Sequence, residues 1–123
     1  MLVKKLIEEN VLEATTREFN AGDKLFTAGS APDFVYYLLT GQVKLLEDYG
    51  GSQINIFIPG TVAGLADLLN ETHTYSAIAT EPTQVLVIKR DKLLQLIERN
   101  PALRMYFLKL LSRGIMRAQP MFE

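Results

Sequence analysis

Residues 17–43 read REFNAGDKLFTAGSAPDFVYYLLTGQV. Short apolar runs, Leu25-Phe26 and Phe34 to Leu39, alternate with turn clusters at Asn20-Ala21-Gly22-Asp23, Gly29-Ser30-Ala31-Pro32-Asp33 and Thr40-Gly41. Strands of this length, rich in Val, Phe and Tyr and punctuated by Gly, Pro, Asn and Asp, predict an all-β sandwich or barrel rather than helices. The pattern continues past Val43, through turn residues at Asp48-Tyr49-Gly50-Gly51 and Pro59-Gly60, as far as Lys89. Seven of the eight glycines lie between Gly22 and Gly64, so corners needing positive φ are concentrated there. Ile54, Ile56 and Ile58 alternate with Gln53, Asn55 and Phe57, which predicts a half-buried strand with the isoleucines on one face. Val85-Leu86-Val87-Ile88 is continuous and predicts a strand covered on both faces.

Helical patterns flank this region. Val3, Leu6, Ile7 and Val11 stand near helical spacing among Lys and Glu, giving an amphipathic N-terminal helix within residues 1–15. Asp91 is a good N-cap for a helix striped by Leu93, Leu94, Leu96 and Ile97. Asn100-Pro101 breaks it, because proline disfavours the α region in the residue before it and suits a first helical turn. Leu103, Phe107, Leu111 and Ile115 mark a second helix that Pro120 ends. The expected organisation is one domain over residues 1–123. A β-roll at 16–90 carries a loop at 63–78, and two C-terminal helices span 91–118.

Composition narrows the function. The chain has 123 residues, one domain's worth, with net charge −1. Bulk electrostatics therefore call for no nucleic-acid or membrane-surface partner. There are no cysteines, which removes disulfides, thiolate metal sites and cysteine nucleophiles. No apolar run approaches the ~20 residues that span a bilayer, and the N-terminus has no signal-peptide core, so the expected location is cytoplasmic.

Gly22-Asp23-x-Leu25-Phe26-x-x-Gly29, Asp33-x-x-Tyr36-Tyr37-x-Leu39-x-Gly41-x-Val43, Pro59-Gly60 with Val62-x-Gly64, Ser76-Ala77 and the helix pair around Asn100-Pro101 occur in one register. In these the chain resembles the cyclic-nucleotide-binding domain family, from about Arg17 to Ile115. The resemblance implies a mainly β fold with flanking helices. Its centre is a double-stranded β-helix, jelly-roll-like, with an N-terminal helix and two C-terminal helices. It also implies a regulatory sensor of small molecules rather than an enzyme, serving signal transduction or transcription regulation.

The family's ligand loop would lie at residues 63–78, with Gly64, Leu65, Ala66, Tyr75, Ser76 and Ala77 as candidate ligand-binding residues. Backbone N–H groups at a short helix favour a phosphate, an arginine pairs with it, and a glutamate accepts from the ribose 2′-hydroxyl. Gly64, Ser76 and Ala77 match that loop. Leu65 stands at the glutamate position and Tyr75 at the arginine position. Two lost charged partners cost roughly 3–6 kcal/mol, or a factor of a hundred to ten thousand in affinity. The expectation is weak or no binding of ordinary cyclic AMP or cyclic GMP. Three alternatives stand beside it. Lys44, Arg90 or a partner chain supplies the phosphate charge; a less charged ligand sits against Leu65 and Tyr75; or Tyr75 packs over a closed pocket. Adenine contacts from the last helix would fall near Ala118 and Gln119. The rival function is a β-roll serving as an interaction or dimerisation module without ligand.

Other chemistry has little support. The one histidine, His73, cannot form a cupin-type metal site and is expected to be a solvated loop residue, and no nucleophile–base pair emerges. Asp67 and Glu71, four apart, are expected on a solvated helix face. Lys109, Arg113 and Arg117 are expected to complement the dipole of the last helix. That helix is also expected to carry a homodimer contact, with Gly114 allowing close approach. No helix-turn-helix follows before Glu123, so no DNA-binding domain is expected in this chain, nor a cofactor, a metal or a membrane partner.

Overall fold

The computed structural model describes residues 2–47, 52–112 and 121–122. The turn at 48–51 and the roles expected of Arg113, Gly114, Ile115, Arg117, Ala118, Gln119 and Pro120 lie outside the described residues. The elements run α1 (Leu2–Glu8), β1 (Thr15–Phe19), β2 (Lys24–Phe26), β3 (Phe34–Thr40), β4 (Val43–Leu46), β5 (Gln53–Phe57), β6 (Thr61–Ala63), a 3-10 turn (Leu65–Asp67), β7 (Ser76–Ala79), β8 (Thr83–Lys89), α2 (Arg90–Arg99), α3 (Pro101–Ser112) and β9 (Met121–Phe122). The strands form two antiparallel sheets, ordered β1-β8-β3-β6-β9 and β2-β7-β4-β5. This is the expected β-roll between an N-terminal helix and two C-terminal helices.

Period-two alternation divides the apolar residues between two cores. Between the sheets lie Phe19, Leu25, Phe26, Tyr36, Leu38, Val43, Leu45, Phe57, Ala63, Ala77, Ala79 and Val85. Val35, Tyr37, Val62 and Ile88 face the other way and join Leu12, Leu93, Leu103 and Phe107 in a second core between the five-stranded sheet and the helices. β8 lies between β1 and β3 and feeds both: Leu86 packs toward the helices and Val87 toward the roll interior. This is why its sequence reads as an unbroken apolar run. The Tyr36 hydroxyl donates to the Leu25 carbonyl at 3.0 Å and ties the two sheets together.

Two corners show why glycine is needed. Gly41 has φ of 92°, and a Cβ there would stand 2.3 Å from Thr83 Oγ1 and 2.6 Å from the Pro82 carbonyl oxygen. Gly64 has φ of 89°, with a Cβ position 3.3 Å from the Phe34 carbonyl oxygen. The Asn20–Asp23 corner closes as its residue types suggest, with Asp23 Oδ2 accepting from the Asn20 N–H at 2.8 Å.

Two local expectations are corrected. α1 stops at Glu8 because Asn10 adopts φ of 59°, which wraps the chain back so that Leu12 is buried and Val11 is 51% exposed. Asp91 is not the N-cap of α2: Lys89 takes that place, and the helix opens at Arg90, whose N–H donates to the Asp33 carbonyl at 2.9 Å. The alternation on β5 turns Phe57 inward, and Ile58 is 44% exposed. The helix break is as expected: Asn100 is extended, and its Oδ1 accepts from the Leu103 N–H at 3.1 Å, capping α3. No helix among the described residues is long and apolar enough to cross a membrane.

Candidate functional site

The loop leaves β6 at Ala63, turns at Gly64, makes the single 3-10 turn and returns to β7 at Ser76. Three of its apolar residues, Leu65, Ala66 and Leu68, face the helices. Leu65 and Leu68 are almost fully buried in the core shared with α2 and α3, and Ala66 packs against it. Tyr75 packs, partly buried, on the interior core on the other side of the sheet. Leu65 and Tyr75 thus belong to different layers. Ala77 is fully buried in the interior core, and the Ser76 hydroxyl oxygen already accepts the Ala28 N–H at 2.9 Å.

Asp67 is the centre of the loop. The residue is 6% exposed, and four polar contacts surround its carboxylate. Asn70 Nδ2 donates to Oδ1 at 2.9 Å and Thr74 Oγ1 to Oδ1 at 2.9 Å. The Thr74 N–H donates to Oδ2 at 3.2 Å, and His73 Nδ1 lies 3.2 Å from Oδ2. Burial by itself would push the Asp67 carboxyl up. The bonds from His73, Asn70 and Thr74 together outweigh it and hold the carboxyl below its ordinary value. His73 is buried and stacks on Phe26, with ring centroids 3.9 Å apart and planes 10° from parallel. Its backbone pairs with the loop before β3: the His73 N–H donates to the Ser30 carbonyl at 2.8 Å, and its carbonyl accepts the Gly29 N–H at 2.9 Å.

His73 and Asp67 therefore correct the expectation of solvated residues. Glu71 remains exposed, but the 3-10 turn ends at Asp67, so the two carboxylates share no helix face. The sequence signal was Asp67 followed within seven residues by three bonding side chains, Asn70, His73 and Thr74. Lys44 pairs in register with Ile78, pointing away from the interior residues Val43 and Leu45. It does not offer charge to the inside of the roll. Arg90 does meet the loop: Nε donates to the Leu68 carbonyl at 2.6 Å and a terminal nitrogen to the Asn70 carbonyl at 3.5 Å. Its donors therefore bridge the loop backbone to the start of α2. Among the described residues no group of three His, Cys, Asp or Glu could hold a metal ion.

With this geometry in hand, the family model described as the cyclic nucleotide-binding domain matches residues 16–100. The chain belongs to the cyclic nucleotide-binding domain family. It is 35% identical to the transcriptional activator protein Anr of Pseudomonas protegens, over 85% of this chain and 44% of that protein. It is 30% identical to the cyclic AMP receptor protein of Thermus thermophilus, over 83% of this chain and 49% of that one. The chain thus spans about half the length of the curated relatives it matches. Among solved structures it is similar to the Thermus thermophilus catabolite activator protein, with a TM-score of 0.75 and 28% identity over 94% of this chain and 55% of that chain. The sensor domain of the transcriptional regulator DNR from Pseudomonas aeruginosa shares the fold, with a TM-score of 0.75 and 19% identity over 84% and 72% of the two chains. The domain is a sensor-type β-roll homologous to transcription regulators.

Proposed function

We propose that this domain receives the signal for a transcription regulator and that its signal is not ordinary cyclic AMP or cyclic GMP. The observation that carries this reading is the Asp67 carboxylate, buried in the loop and held ionised by the loop's own donors. A phosphate seated within about 6 Å of it would meet roughly 3 kcal/mol of repulsion at an effective dielectric of about 20. Leu65 and Tyr75 stand where the family places a carboxylate acceptor and a cationic partner, and neither can replace them. The signal reaches the output through the helices, because Leu65 and Leu68 pack in their core and Arg90 bonds the loop carbonyls from the first turn of α2. A ligand that moves the loop must disturb those contacts, and it shifts the helix arrangement by the difference in its affinity for the two states. A second copy packs along α3, where Met105 and Leu108 are both more than half exposed.

Isothermal titration calorimetry with cyclic AMP and cyclic GMP, up to millimolar concentrations, tests the reading. The expected result is no saturable heat from either. Saturable binding of either nucleotide at micromolar concentration overturns it.

A further inference from the structure

Apart from Ser76, the outward face of the four-stranded sheet has no part in the hydrogen-bonded network of the loop or in either core. Val43, Leu45, Phe57, Ala77 and Ala79 point into the roll, so alternation turns Lys44, Leu46, Ile54, Ile56, Ser76 and Ile78 outward. Register arranges the centre of this face as one row across all four strands: Lys24 opposite Ile78, Ile78 opposite Lys44, and Lys44 opposite Ile56. Leu46 and Ile54 widen the patch, and Ile58 is 44% exposed just beyond β5. An antiparallel sheet with one solvated face ordinarily places polar residues outward. Here the outward set is mostly aliphatic. Among the described residues, Leu46, Ile54, Ile56, Ile58 and Ile78 belong to neither core and pack against neither. The buried side chains of α2 and α3 lie beyond the other sheet.

Charge gives the face a polarity. The four strands read KLF, VKLL, QINIF and SAIA, with no acidic residue, and both of their cations stand in the central row. Neither lysine is in an ion pair among the described residues. Lys24 and Lys44 are two strand spacings apart, about 10 Å, which is close to the diameter of an α-helix.

We propose that this face docks an acidic amphipathic helix of a partner protein. The helix would lay its apolar stripe on the isoleucines, with carboxylates meeting Lys24 and Lys44. A second copy of this chain fits poorly, because both copies would bring Lys24 and Lys44 into one contact while the four strands supply no carboxylate to neutralise them. An anionic membrane fits poorly too: polybasic adhesion uses clusters of about four to eight cations, and this face has two.

The test uses the full chain, labelled with nitrogen-15, and a synthetic helical peptide with leucines at i, i+3, i+4 and i+7 flanked by glutamates. A twin peptide carries lysine at every glutamate position, and phosphatidylserine vesicles form a third arm. The expected result is saturable shift changes at Lys24, Lys44, Ile56 and Ile78, with the acidic peptide at least about ten-fold tighter than its twin. The double variant Lys24→Glu, Lys44→Glu should lose about ten-fold in affinity while its free spectrum stays native elsewhere, both positions lying at the surface of the sheet. Four outcomes would overturn the proposal: equal affinity for the two peptides, no saturable binding at millimolar peptide, shifts centred on Met105 and Leu108, or binding to the vesicles alone.

Discussion

His73 Nδ1 lies 3.2 Å from Asp67 Oδ2, and the same imidazole ring stacks on Phe26 at 3.9 Å. One side chain thus joins the loop's carboxylate to the interior core. The Asp67 carboxylate cannot be released without also leaving the Asn70 and Thr74 donors unpaired, so the loop is held as a unit. Replacing the acceptor tests this directly. Asp67→Asn presents an amide where His73 and Thr74 both need an acceptor. The expected loss is about 2–3 kcal/mol, the scale of hydrogen bonds to a charged group, read from the urea midpoint at neutral pH. An unchanged midpoint would mean that the network contributes nothing.

The same carboxylate sets an acid limit. Its folded pKa is lowered below the ordinary 3.8, so the unfolded chain binds the proton more readily. The stabilisation is fully present above about pH 4 and is lost as pH falls through the folded value. Urea midpoints measured between pH 6 and pH 2.5 should therefore drop more steeply below pH 4 for the parent than for Asp67→Asn. Parallel curves for the two proteins would contradict the assignment.

How much of this was legible beforehand depends on range. The strands, the two C-terminal helices and the corner glycines follow from alternation and turn chemistry within a few residues, and Phe34 to Val43 or Asn100-Pro101 needed nothing more. The Asp67 network did not follow. A lone histidine in a polar stretch reads as solvated, and its burial arises from the Gly29–Ser30 backbone and Phe26, more than forty positions earlier. Which face of β5 lies inside is of the same kind. Alternation gives two faces, and only the opposite sheet decides which one is inside.

Gly41 offers a test of the corner geometry. Its positive φ disfavours any side chain, and a Cβ would enter the space of Thr83 Oγ1 and the Pro82 carbonyl. Backbone cannot yield there as a flexible side chain would. Gly41→Ala should cost about 3 kcal/mol or more, whereas Gly22→Ala, with φ of 92° but nothing within 4 Å, should cost about 1–2. Thermal unfolding of the pair separates steric contact from backbone strain. Equal losses would show that strain alone matters.

Arg90 is expected to couple loop and helix. Arg90→Ala removes the donors to the Leu68 and Asn70 carbonyls, and Arg90→Lys does not restore them, since a single ammonium lacks the guanidinium fork. Amide hydrogen exchange should accelerate in residues 68–74 in both variants while the strands of the roll keep their protection. Exchange that rises equally across the whole chain would indicate simple destabilisation instead.

Placing at position 65 the glutamate that the resemblance to the cyclic-nucleotide-binding family implies is the sharpest test of the proposed loss of cyclic-nucleotide binding. Leu65 is 2% exposed and packs with Leu68, Leu93 and Phe107 in the helix-side core. A glutamate there would stand among apolar side chains, so Leu65→Glu should destabilise the fold by about 3–5 kcal/mol, the scale of a buried charge without a partner. It should bring no affinity for cyclic AMP, because the side chain starts in the layer opposite Tyr75 and Asp67 still closes the loop. Urea unfolding and calorimetry on the same preparation check both halves. A stable Leu65→Glu variant that binds cyclic AMP at micromolar concentration would show that position 65 reaches the ligand side of the loop and that a single side chain separates this domain from a nucleotide receptor.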